Sequence, residues 1–173
     1  MKLQTTRHFP VSAETLLGIL LSRDFYQRRY AMSGIDDFSF DAFEQTPRGF
    51  LIRILRQMEI KSGSVPSFAR KFVGSQAVLE TEFLCTEKDQ QPYRIEYRFS
   101  FGKVPVKVEG VMEIRDEEDG TARQDIYATV SSSIPLIGGK LAALVGEKAD
   151  KGLQSDYRAT CRYIEEHLPA AAD

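Results

Sequence analysis

Apolar and polar positions alternate with a period of two through most of the chain up to residue 132, then switch to a helical period near its end. Leu3, Thr5, Arg7 and Phe9 oppose Gln4, Thr6 and His8, which predicts a short first strand ended by Pro10. Ser12 then stands as a helix cap, with Glu14 in the first turn and Val11 placed to staple onto Leu16. Ser22 and Asp24 repeat the device, and Gly34 closes the second run. Two short consecutive helices are therefore expected at 13–21 and 23–32.

Period two returns over 35–44, 50–60, 77–87, 92–101, 104–116 and 121–132, and these read as six further strands. Pro47-Arg48-Gly49, Asp89 to Pro92, Gly102 and Asp119-Gly120 punctuate them. Connections this short join antiparallel neighbours, because a parallel crossover takes about a dozen residues or more. Tyr93, Ile95, Tyr97 and Phe99 against Arg94, Glu96, Arg98 and Ser100 give one dry and one wet face. The segment 61–76 breaks the pattern: too long for a hairpin and too apolar for a free loop, it reads as a packed flap. After Pro135, Leu141, Leu144, Val145, Ala149, Leu153, Tyr157, Cys161, Ile164 and Leu168 form one helical stripe. A helix over 139–168 is about 45 Å long and needs an extended apolar surface, which the dry sheet face supplies. The expected fold is α+β: a curved antiparallel sheet of six or seven strands around a long C-terminal helix, with a pair of short helices at one end. One domain over 1–168 and a short flexible tail over 169–173 complete the organisation.

Two segments carry a family resemblance: SVPSFARKFVG at 64–74 and SIPLIGGKLAALVGEKADKGLQSDYRATCRYIEEHL at 133–168. With the element order, they make the chain resemble the START and pollen-allergen superfamily, also labelled SRPBCC or helix-grip. Pro66, Ala69, Phe72, Gly74, Pro135, Gly138, Gly139, Lys140 and Leu141 narrow the likeness to an uncharacterised bacterial family within it. The resemblance implies an internal cavity and a hydrophobic ligand such as a lipid, sterol or polyketide. It implies no single activity, because members include carriers, cyclases, ring-hydroxylase subunits and cofactor-chaperone activators.

Composition narrows the chemistry. The 173 residues carry 23 basic and 25 acidic side chains for a net charge of −2, which argues against a nucleic-acid partner. No run approaches the roughly 20 apolar residues of a membrane span, and the N-terminus lacks an apolar signal core; a cytoplasmic location is the expectation. Cys85 and Cys161 share no ligand spacing, and His8 and His167 form no metal pair, so neither metal nor cofactor is expected. Asp36, Asp37, Asp41 and Glu44 alternate with Phe38, Phe40 and Phe43 as a solvated strand edge. No nucleophile elbow or phosphate loop occurs.

The candidate ligand contacts are the polar residues on dry faces. Arg56 sits among Phe50, Ile52, Ile54 and Met58, where a guanidinium needs a partner or an anionic ligand group. Tyr93, Tyr97 and Gln124 also fall inward, as sparse polar groups that orient a ligand do. Gly146 and Gly152 lie inside the helix, where glycine costs about 0.5–1 kcal/mol relative to alanine. Close packing accounts for such glycines; Gly152, placed on or near the stripe, alternatively leaves room for a ligand. The leading expectation is binding of a small apolar or amphipathic molecule. A cyclase-type enzyme using Arg56, Tyr93 and Tyr97 is the catalytic alternative, and docking through the flap is the third.

Overall fold

The computed structural model describes residues 1–168; the tail expected over 169–173 lies outside the described residues. Seven strands pair in the order β1-β7-β6-β5-β4-β3-β2, every pair antiparallel. They are β1 (Lys2–Phe9), β2 (Phe38–Thr46), β3 (Gly49–Glu59), β4 (Gln76–Glu87), β5 (Tyr93–Phe101), β6 (Val106–Asp116) and β7 (Ala122–Ser132). Helices α1 (Ala13–Leu20) and α2 (Arg23–Met32) follow β1, and α3 (Gly138–His167) closes the chain. This is the helix-grip arrangement that the residue pattern predicts. The largest shift is in β2, which starts later than expected and runs on to Thr46, because Thr46 and Gly49 pair directly around Pro47-Arg48.

Each short helix starts where its cap donates the missing acceptor. Ser12 Oγ accepts from Thr15 N at 3.1 Å, and Ser22 Oγ accepts from Phe25 N at 3.5 Å. A third acceptor comes from the sheet, where Asp116 Oδ1 takes the Ala13 N–H at 2.7 Å. On α2, Tyr26 and Tyr30 are buried against Phe83 and Phe38 of the sheet and Phe25 against Tyr163 of α3, and Tyr26 donates to Leu20 O at 2.7 Å. Burying each such aromatic contributes about 1.5–3 kcal/mol. The stripe of α3 covers the same face: Leu141, Val145, Leu153 and Ile164 are buried, with Leu144, Ala149, Tyr157 and Cys161 half-buried. Gly146 is buried beneath the Met1 side chain, whose Sδ would stand 2.5 Å from a Cβ there and would have to swing aside for one.

Carboxylates pin the fold at two places, and both weaken in acid. The Ala13 N–H and the Gln91 amide hold the Asp116 carboxyl below the usual range. Burial alone would raise Asp125, but the Thr6 hydroxyl at 2.6 Å and then Arg123 and Arg115 outweigh it, so its carboxyl is also lowered. A carboxyl depressed in the folded state contributes stability that is complete above its unfolded value and is lost as pH falls through the folded one. Stability is therefore expected to fall below about pH 4. Urea unfolding at stepwise lower pH checks this, and Asp125→Asn is expected to flatten the acid limb.

Candidate functional site

Sheet curvature and a straight helix leave space in two places, and side chains decide how much of each survives. In the middle of the grip, β1, β7, α2 and α3 bring five polar side chains inward. Arg7 faces Gln124 across the β1–β7 pair, and its guanidinium donates to Leu153 O of α3 and lies 5.3 Å from the Tyr157 ring. Arg29 of α2 pairs with Asp156 of α3 at 3.1 Å and packs 5.3–6.0 Å from the rings of Phe25, Tyr26 and Tyr30. Burial opposes the charge on Arg29, but Asp156 and the neighbouring tyrosines hold the guanidinium firmly protonated. Burial pushes the Asp156 carboxyl up, while Arg29 and then Arg7 pull it back. Thr160 donates to the Asp156 carbonyl at 2.7 Å. The cavity among these groups, closed by Tyr26, Phe83, Met112 and Ile126, measures only about 30 Å³. That is room for a few ordered water molecules at most. The centre of the grip is a packed polar core and has no room for a ligand.

The second space lies at the other end of the sheet, beneath the flap. The flap between β3 and β4 folds back through two short 3-10 turns, Ser62–Ser64 and Arg70–Phe72. Ala69 is fully buried, and Val65, Phe68 and Phe72 pack with Val106, Val108, Val130, Leu141, Ala142 and Val145 in a satellite core. A cleft of about 270 Å³ remains between the flap, β3, β5 and α3. Met58, Val65, Val73, Phe101, Leu144 and Val145 are among its walls, with Glu59 and Lys148 as its only charged lining residues. This lies at the lower edge of the roughly 300–1,000 Å³ common for small-molecule sites.

A family model described as a protein of unknown function, DUF2505, matches residues 4–164. The chain belongs to the DUF2505 family. No curated protein matches it. Among solved structures, the Zhui aromatase/cyclase from Streptomyces sp. R1128 superposes with a TM-score of 0.65 at 10% identity, covering 99% of this chain and 98% of that one. A START superfamily protein from Mycobacterium smegmatis gives 0.58 at 17% identity, covering 95% and 97%. The structure of Ara h 8.0201 gives 0.64 at 12% identity, covering 96% and 99%. At such identities the likeness establishes the helix-grip fold, the same fold that the motif resemblance implies.

The residues singled out from the sequence do not converge. Tyr93, Tyr97 and Gln124 do face inward and are buried. Gln124 borders the small central cavity, and its amide lies 3.5 Å from Met112 Sδ. Tyr97 lies over Gly110 and donates to Tyr127 O at 3.3 Å; burial, opposed by Arg7, pushes its phenol up to about 12. Tyr93 pairs with Ile114 at the opposite end of β5. Arg56 sits between Phe38 and Leu79, half-buried, and its Nε is enclosed without a hydrogen-bond partner among the described residues. Met58, two residues further along the strand, lines the flap cleft, but Arg56 itself is not among the cleft's lining residues, and neither tyrosine is its strand partner. Gly152 needs correction: it is exposed, with no atom within 4 Å of where a Cβ would stand. One helical residue is 100° of rotation, which turns Gly152 outward while Leu153 takes the inward place. Sequence reasoning missed Arg29 and Asp156, whose charge took them off the apolar lists. A charged residue three positions beyond Leu153 on a buried helix face was the available signal.

Proposed function

We propose that this DUF2505 protein binds a small apolar or amphipathic molecule, and that the binding site is the flap cleft rather than the centre of the grip. The observation that carries the reading is an open cleft of about 270 Å³ with almost wholly apolar walls, in a molecule whose central cavity holds about 30 Å³. Lys148 at the edge gives an anionic head group a counter-charge. The lipid- or polyketide-like class suggested by the superfamily agrees with these walls. The cyclase reading loses its support, because Arg56, Tyr93 and Tyr97 share no enclosed volume.

Calorimetric titration with decanoate tests this. Saturable binding with a negative heat-capacity change is expected. Leu144→Trp, which fills the cleft from a half-buried position, is expected to weaken binding at least about tenfold while the unfolding midpoint stays near that of the parent. Equal affinity in the parent and the Leu144→Trp variant would remove the cleft from consideration.

A further inference from the structure

The end of the molecule that carries the flap has a charge distribution unlike the rest. Three segments meet there: 60–74 of the flap, 101–108 of the β5–β6 turn, and 132–146 leading into α3, all joined through the satellite core. Together they contain Lys61, Arg70, Lys71, Lys103, Lys107 and Lys140 and not one acidic residue, in a chain with 25 acids and 23 bases. All six cations are exposed, and none makes a salt bridge among the described residues. Elsewhere ten of the other seventeen basic residues, Arg28, Arg29, Arg48, Arg53, Arg94, Arg98, Arg115, Arg123, Lys151 and Arg162, pair with carboxylates. Glu59, Glu109 and Glu147 stand just outside the segments.

An apolar group projects from the same end. Leu136, just before α3, is fully exposed at 102% and adopts φ 66°. For a leucine the left-handed region costs about 1–2 kcal/mol, and folding alone gains nothing by spending it on a side chain held in water. Phe68 and Phe72 of the flap are half-buried nearby, with the Lys71 ammonium 4.9 Å from the Phe72 ring.

We infer that this end docks on an anionic lipid surface, with the six unpaired cations attracted to the head groups and Leu136 entering the boundary between head groups and acyl chains. Charge complementarity selects this occupant: basic residues near such a surface act additively and over a Debye length, without needing a shaped partner. An exposed leucine at the same face gives the short apolar insertion that interfacial binding adds. The docking stands whether or not the flap cleft holds a ligand, and is read without one.

Co-sedimentation with phosphatidylcholine vesicles, with and without about one-third phosphatidylserine, tests it. Binding is expected only to the anionic vesicles and is expected to weaken as salt rises. Lys71→Glu with Lys103→Glu is expected to weaken it at least about tenfold. Leu136→Gly is expected to weaken it several-fold while leaving the unfolding midpoint equal or higher, since glycine relieves the backbone; a residue of purely structural value would not separate the two readouts. Equal partitioning onto neutral and anionic vesicles, no partitioning onto either, or parent-like binding by the double charge reversal would overturn the inference. No partitioning would leave this face to a protein partner.

Discussion

Gly110→Val is expected to be strongly destabilising. Gly110 lies on β6 between Tyr97 of β5 and Ala128 of β7, where the sheet curls around α3. A Cβ built there would stand 2.1 Å from the Tyr127 carbonyl oxygen and 2.5 Å from Tyr97 Cζ. The tyrosine ring has room to swing, but the carbonyl belongs to the backbone of a paired strand and moves only if the β6–β7 ladder does. The glycine is what lets two strands approach at this bend, and the Tyr97 ring covers the gap that it leaves. The expected cost is about 3 kcal/mol or more, a large share of the 5–15 kcal/mol that holds an ordinary domain. Denaturant unfolding followed by circular dichroism checks it. Tyr97→Phe separates the two contacts, because it deletes only the hydroxyl and is expected to cost about 1 kcal/mol.

Asp156→Ala is expected to be strongly destabilising although the residue lies outside the apolar stripe of α3. It strands Arg29, whose side chain is 13% exposed and enclosed by Phe25, Tyr26 and Tyr30, and removes a counter-charge from Arg7. Breaking a fully buried pair costs about 3–5 kcal/mol; Asp156 is 31% exposed, and solvent screening brings the expectation to about 2–3 kcal/mol. Removing both charges is expected to cost less than removing one. Arg29→Met combined with Asp156→Leu should recover most of the loss, since apolar groups of similar volume replace a buried pair at little net cost. Unfolding midpoints for the two single variants and the double variant give the coupling directly. Equal losses in single and double variants would contradict the assignment of the pair as the link between α2 and α3.

Much of this architecture is readable before any coordinates because period-two and period-3.6 patterns are local. Tyr93 to Phe99 need only their own alternation to be placed on the dry face, and Leu141 to Leu168 only their own stripe. The flap over 61–76 is legible for a similar reason: Phe68, Ala69, Phe72 and Val73 are too apolar to lie free. What local patterns do not encode is which inward polar residues meet. Alternation puts Arg7 beside Leu3 and Phe9, yet nothing in β1 announces Gln124 opposite or Leu153 above. Arg29 and Asp156 come from helices far apart in the chain. Volume is least legible of all, because it is what remains after every side chain is placed. Tyr26, Phe83 and Met112 fill the centre of the grip, and the open space appears under the flap.

The location of the ligand is the central claim, and methyl-resolved NMR during titration with decanoate tests it most directly. Shift changes confined to Val65, Ala69, Val73, Leu144 and Val145, with Met112, Ile126 and Leu153 unmoved, are the predicted result. Changes centred on Met112, Ile126 and Leu153 would place the ligand inside the grip and contradict the account; no change anywhere at saturating decanoate would contradict it equally.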